Sequence, residues 1–376
     1  MVEDVAKPML APLSVLVLVS ILAFLNGAND ISKGIASLVG SGVTRARTAV
    51  LWGTIWTVAG GITAAFATQG LIKAFGGNGI VTPLPEGYAF LSAIAAGTLM
   101  WIGFATWTGL PVSTTHAIIG ALIGAGLMAA GAGGINWGVL LQRFFVPLAV
   151  SPLLAFGLMV VFGRALNNCF GPLHRYCVCL HREAIRIATQ PPALALSQET
   201  TVIVGETADC DCEPATVLSM NAMDALHWCS AGATCFARGL NDAPKIFALG
   251  LSASLAFGLV PATGFIATAI AMGLGSLLAG LRVTETLAKK LTPMSPEEGF
   301  VANLITSVLV IFASKLALPV STTHVSTGAI IGLGLNRSPQ GIHWKTMWHV
   351  VFAWLLTLPV AAIFAAVVYW LTRLGA

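Results

Sequence analysis

Pro111-Val-Ser-Thr-Thr-His116 returns letter for letter as Pro319-Val-Ser-Thr-Thr-His324, 208 residues on from 111 to 319. A second string, Gly27-Ala-Asn29-Asp30-Ile-Ser-Lys33, returns as Gly239-Leu-Asn241-Asp242-Ala-Pro-Lys245, 212 residues on from 29 to 241. Two motifs recurring at nearly equal offsets are parts of one duplicated unit. The chain therefore divides into a first copy over residues 1–166 and a second over 216–376. The only long polar stretch, 167–215, separates them.

The sequence around the motifs is apolar. Hydrophobic residues make up 56% of the chain and charged residues 9%, against roughly a quarter charged in soluble domains. That is too little polar surface for a water-soluble protein of 376 residues. Runs such as Thr48–Thr68, Tyr88–Trp107, Trp137–Phe162, Gly264–Leu281 and Met347–Leu371 match the ~20 helical residues that cross ~30 Å of hydrocarbon. No run shows the alternation of a barrel strand. Gly120/Gly124 and Gly328/Gly332 have the four-residue spacing that lets helices pack closely. The expected fold is an all-α polytopic membrane protein of about 10–12 segments. Five crossings per half invert the second copy relative to the first, with broken helices or helical hairpins at the motifs.

No cleavable leader is expected, since Glu3, Asp4 and Lys7 precede an apolar run with no small-residue cleavage site. Threading ten segments places Arg45, Arg47, the Arg164–Arg186 stretch, Arg282, Lys289, Lys290, Arg337 and Lys345 on one side, and Lys7, Lys73 and Arg373 on the other. The positive-inside rule then makes the central segment cytoplasmic and both termini external, in the inner cell membrane. That segment carries Cys169, Cys177, Cys179, Cys210 and Cys212. Its composition reads as a linker or a small loop domain; its Cys-x-Cys pairs could hold zinc or sense redox state, but they lack the common zinc spacing, so an unstructured reduced loop without metal is the default expectation.

Asp30 and Asp242 each end a long apolar run. An ionisable group at membrane depth is costly and marks a functional site. Lys33 and Lys245, three residues on, share a helix face with these carboxylates and neutralise them. Gly27 and Gly239 permit a break in the helix just before the cluster, and Pro244 fits a first turn better than an interior. Pro followed by Ser-Thr-Thr reads as a helix start, whose free amides and partial positive charge bind anions. Ser113, Thr114, Thr115, Ser321, Thr322 and Thr323 add hydroxyl donors suited to a tetrahedral oxyanion. The plainer reading, helix caps only, fits one copy better than two identical ones. His116 and His324 either relay protons or make structural hydrogen bonds. A carboxylate beside a bound anion needs a positive charge between them, from a proton, a sodium ion or the lysines, and that requirement points to cation symport.

At these residues the chain resembles the inorganic phosphate transporter (PiT) family, which includes the vertebrate sodium–phosphate transporters that serve as retroviral receptors. The likeness spans nearly the whole chain through the duplicated Gly-Ala-Asn-Asp signature and the Pro-Val-Ser-Thr-Thr-His strings. It implies a homodimeric secondary transporter holding phosphate between inverted repeats. The Ser-Thr-Thr elements would contact phosphate, and Asn29, Asp30, Asn241 and Asp242 would serve substrate and cation coupling. Sodium-using members usually carry Asn where this chain has Lys33 and Lys245. A fixed ammonium fills that place, so the coupling ion is expected to be H+ rather than Na+, with no cofactor.

Relatives that move sulfate keep a sulfate permease open as an alternative, and arsenate is a further tetrahedral candidate. An anion channel is the alternative of another class, but paired opposite charges in two inverted motifs favour a carrier. An enzyme is not expected, because there is no nucleophile elbow and every group occurs twice. No ATP-binding Gly-x-x-x-x-Gly-Lys loop occurs, and basic residues scattered over short loops give nucleic acid no footprint.

Overall fold

The computed structural model describes residues 2–374 except 78, 86, 189–193, 207–215, 291–293 and 338–343. Backbone surrounded by hydrocarbon must bond within its own segment, and the apolar runs accordingly are helices. The first half holds α1 (Val2–Asp30), α2 (Ser32–Gly40), α3 (Ala46–Ala67), α4 (Gln69–Phe75), α5 (Ala89–Thr108), α6 (Thr114–Ala130), α7 (Trp137–Leu140) and α8 (Val146–Phe170). The second holds α9 (Ala222–Ala256), α10 (Pro261–Ala279), α11 (Leu281–Lys290), α12 (Pro296–Lys315), α13 (Thr322–Arg337) and α14 (Trp344–Leu374). Among the described residues, seven helical stretches are long and apolar enough to cross a membrane, including Met9–Gly40, Trp137–Arg175 and Val351–Leu374. The protein is a multi-pass membrane protein.

The halves run in opposite directions. Along the seam between α1–α2 and α9, Val19 lies against Gly250 and Asn26 bonds Asp242. Further along, Gly34 meets Cys235 and Ser37 bonds His227. Numbers rise along one helix as they fall along the other, so the two copies of the signature helix are antiparallel.

Each half is closed by the other, and glycine makes the closure possible. A Cβ on Gly27 of α1 would fall on the Met272 backbone of α10, and one on Gly239 of α9 on the Thr57 carbonyl of α3. The exchange recurs at the ends of the halves. Gly120 of α6 sits on the Leu358 carbonyl of α14, and Gly328 of α13 on the Pro152 carbonyl of α8. Gly124 and Gly332, one turn on, meet Ala362 and Phe156. Apolar attraction between helices is weak where lipid is equally apolar, so such backbone contact supplies much of the association.

Two helix pairs are hairpins. α5 ends at Gly109 (φ 76°), and the Leu110 amide caps it by donating to Ala105 O at 2.8 Å. α12 ends in the same turn at Ala317 (φ 55°), with the Leu318 amide donating to Ala313 O at 2.9 Å. The chain then turns back into α6 or α13 through Pro111-Val-Ser113 and Pro319-Val-Ser321, which are buried, whereas Leu316 and Leu318 of the second turn are exposed. The first hairpin enters from the side of the termini. The second enters from the side of the central segment. Counting each hairpin arm, the described residues make ten helical passes, five per half.

Three local expectations change. The helix does not break at Gly27 or Gly239: α1 runs through Gly27 and stops only after Asp30, whereas α9 runs unbroken to Ala256. These glycines serve close approach to Met272 and Thr57 rather than flexibility. Pro244 lies inside α9, not in a first turn, and its missing N–H leaves the Leu240 carbonyl without its helical donor.

Of the two forms expected for the central segment, the structure shows the small domain rather than the unstructured linker. It adds a small sheet to an otherwise helical protein, with β1 (Tyr176–Ala188), β2 (Leu194–Glu206) and β3 (Thr216–Asn221) antiparallel in the order β2-β1-β3. Tyr176 pairs with Glu206 and Cys177 with Asn221. The β-branched run Thr200-Thr-Val-Ile-Val204 favours strand. The polar segment thus extends past 215 to Asn221. Cys177 and Cys179 are buried side by side, with Sγ atoms 3.7 Å apart. Cys210 and Cys212 lie outside the described residues. His174, just before the sheet, pairs with Glu297 at the start of α12.

The contacts at Gly120 and Gly328 predict that Gly120→Val or Gly328→Val destabilises the detergent-solubilised protein by about 1–3 kcal/mol or more, because a carbonyl of a packed helix cannot yield. Gly133→Ala, which faces open space, should leave the melting temperature unchanged. Equal melting of all three variants would contradict the packing.

Candidate functional site

The hairpin tips meet at the centre of the molecule, beside the two signature strings. Ser113 caps α6, its Oγ accepting from the His116 amide at 3.2 Å. Ser321 caps α13 in the same way at 3.3 Å. The first amides of each helix have no acceptor within it, so two positive helix ends face the same region. Each histidine folds back onto its serine, with Nδ1 to Oγ distances of 3.0 Å for His116 and 2.7 Å for His324. The two imidazoles stack on each other, 4.4 Å between centroids and 9° from parallel. The structural role given to these side chains is thus visible as cap, ring and stack.

The threonines cross between the hairpins. Thr115 Oγ1 donates to Val320 O at 3.2 Å, and Thr323 Oγ1 donates to Val112 O at 3.0 Å. The same two carbonyls receive the lysines. Lys33 Nζ donates to Val112 O at 3.0 Å and pairs with Asp30. Lys245 Nζ donates to Val320 O and to Thr115 Oγ1, each at 2.8 Å, and lies 3.3 Å from Asp242 Oδ1. Lys245 Nζ is therefore surrounded by carbonyl, hydroxyl and carboxylate oxygens and Lys33 Nζ by carbonyl and carboxylate oxygens, donors that also suit a hard metal cation.

The asparagines anchor the hairpins. Asn29 Nδ2 donates to Leu110 O at 2.9 Å, and its Oδ1 accepts from the Val112 amide at 3.3 Å. Asn241 Nδ2 donates to Val320 O at 3.2 Å, and its Oδ1 accepts from Ser314 at 3.3 Å. Asn29 also reaches Thr106, the counterpart of Ser314 208 residues earlier. All twelve residues singled out in the motifs are buried in one cluster. Ser113 and Ser321 turn their hydroxyls to caps, and Asn29 and Asn241 turn their amides to the tips.

Two members of the cluster were not singled out from sequence. Asn26 Nδ2 lies 2.8 Å from Thr114 Oγ1, 3.2 Å from Asp30 Oδ2 and 3.3 Å from Asp242 Oδ2. One amide thus joins both carboxylates and one hydroxyl. Arg238 is fully buried in α9, directly before Gly239. An arginine inside an apolar run was the signal for it. Its position repeats that of Asn26 at the same 212-residue offset, from 26 to 238.

Access to the cluster is unequal. A cavity of about 680 Å³ opens on the side of the termini, lined by Lys73, Arg143, Phe144 and the tip residues Ala317–Pro319. It ends beside Val320. On the opposite side, the space among Lys33, Pro111, Asn303, Thr323 and Ser326 amounts to about 20 Å³. This narrower space is lined by two members of the cluster, Lys33 and Thr323.

Inverted halves, hairpin tips meeting at mid-depth and buried paired charges define a transporter rather than an enzyme. The family described as the phosphate transporter family matches residues 26–365, and the chain belongs to it. A Rhizobium meliloti protein named "Probable low-affinity inorganic phosphate transporter" is 30% identical over 363 residues, 94% of each chain. A Bacillus subtilis protein of the same name is 25% identical, covering 96% of this chain and 98% of its own. Among solved structures, "The sodium-dependent phosphate transporter" superposes with a TM-score of 0.76 at 21% identity, over 97% of this chain and 99% of that one. This last likeness concerns the fold.

Removing one member of a buried ion pair strands the other, at a cost of about 3–5 kcal/mol. Lys245→Met should therefore lower the thermal stability of the purified protein strongly. Lys245→Met combined with Asp242→Asn should recover much of that loss. A double variant no more stable than Lys245→Met alone would show that the pair is not coupled.

Proposed function

We propose that the protein imports inorganic phosphate by cation symport, with the proton as the coupling ion. The observation that carries the reading is the meeting of two helix starts, each with its Ser-Thr-Thr hydroxyls, between two carboxylate–ammonium pairs. Helix-start amides and neutral hydroxyls suit the oxygens of a tetrahedral anion. The names of the relatives from Rhizobium meliloti and Bacillus subtilis support phosphate as that anion. Thr114 and Thr322 are the hydroxyls assigned to the substrate first: Thr115 and Thr323 bond the opposite tip, whereas Thr114 bonds Asn26 and Asp30 within the cluster.

The lysines support proton coupling. Lys245 Nζ takes the oxygens of Val320, Thr115 and Asp242, and Lys33 Nζ takes those of Val112 and Asp30. A sodium ion would have to displace an ammonium from either set. Substrate entry from the termini side fits the larger cavity there, and exit needs the tight side at Pro111 and Thr323 to open. Phosphate still carries a proton at neutral pH whereas sulfate carries none, and an acceptor carboxylate would favour the former.

In reconstituted vesicles, labelled phosphate uptake should follow an inward proton gradient, persist without sodium, saturate, and yield to arsenate more readily than to sulfate. Strict sodium dependence would overturn the coupling, and stronger competition by sulfate would overturn the substrate. Asp30→Asn and Asp242→Asn should each abolish uptake in protein still inserted in the membrane. Wild-type transport in both variants would reduce these aspartates to structural groups.

A further inference from the structure

The geometry points to Arg238 as the residue that sets the net charge of the substrate site, as the buried counter-charge of the transported anion. The inference rests on the phosphate-transport reading above. Among the described residues, the buried acidic and basic side chains at the cluster are Asp30, Lys33, Arg238, Asp242 and Lys245. Asp30 pairs with Lys33, and Asp242 with Lys245. Each pair sums to zero wherever its proton resides. A guanidinium stays protonated in proteins, so Arg238 leaves the cluster one positive charge in excess.

The partners of Arg238 do not cancel that charge. Nη1 donates to Asn26 O at 3.3 Å, and Nη2 donates to Thr57 Oγ1 at 2.9 Å and Ser276 Oγ at 3.5 Å. All three acceptors are neutral, and Nε has no hydrogen-bond partner. The carboxylates on the helices around it, Asp30 and Asp242, are already paired with lysines. α10 has no acidic or basic side chain, and α3 has only Arg47 in its first turn. α9 contributes the Cys235 thiol and the Asp242–Lys245 pair, and α1 and α2 contribute Asp30 and Lys33.

A buried charge without a counter-ion is costly in a low-dielectric interior. A bound anion with one net charge completes the neutralisation, and any further negative charge on it must arrive with a proton or another cation. Arg238 does not touch the tips. It acts as a positioning residue through Asn26, whose backbone it holds and whose side chain bridges Asp30, Asp242 and Thr114. The first repeat has Asn26 where the second has Arg238, so the excess charge breaks the pseudo-symmetry and occurs once per site.

The test is labelled phosphate uptake in vesicles across a pH series, for wild type, R238Q and R238K. R238Q should raise KM by at least about tenfold, with a smaller change in kcat. It should also steepen log KM against pH by one proton, since a proton must replace the lost charge. R238K, which keeps the charge and loses the fork, should retain the wild-type slope even where its KM rises. An unchanged slope in R238Q, or the same steepened slope in R238K, overturns the role of Arg238 while the transport reading stands. Failure of the wild type to take up phosphate overturns both.

Discussion

The structure depends on placing two carboxylates at the centre of a membrane protein without leaving either one unpaired. An isolated buried carboxylate would shed its charge or move to water. Lys33 and Lys245 prevent this from within the same stretch of chain, one helical turn away. The lysines also reach Val112 and Val320 at the hairpin tips. The charge pairs therefore do two things together. They make the carboxylates tolerable in the interior, and they fasten the tips that would hold a substrate.

Inversion of the two halves follows from the same arrangement. One copy of the signature helix presents its Asp–Lys pair from one side, and the second copy presents the same face from the other. Thr115 and Thr323 then each reach the carbonyl of the opposite tip. The halves interlock further out, where α1 packs on α10, α9 on α3, α14 on α6 and α8 on α13. Neither half has a complete interior alone, and the site exists only where the two meet. The cavities on the two sides are unequal despite this symmetry.

The central sheet lies outside the membrane logic. Its backbone bonds are made between strands, which a segment in water can arrange without closing into a barrel. The contact between His174 and Glu297 links the chain just before this sheet to the start of α12, one arm of the second hairpin.

Much was legible without coordinates. Hydrophobic run lengths specified a membrane protein of helices, because lipid admits little else, and the recurring strings specified two copies. An odd number of passes per copy specified inversion, since each pass reverses direction. The pairing of Asp30 with Lys33 and of Asp242 with Lys245 followed from helical spacing, a local property. The tertiary structure decided what depends on distant chain segments. Gly27 and Gly239 proved to be contact points because the carbonyls of Met272 and Thr57 come from other helices. Asn26 bridges Asp30 and Asp242 only because antiparallel packing brings residues 216 positions apart into contact. Arg238 became the uncompensated charge of the site only once its hydrogen-bond acceptors, Asn26 O, Thr57 and Ser276, were seen to be neutral, and no local pattern in a sequence records which distant groups meet in space.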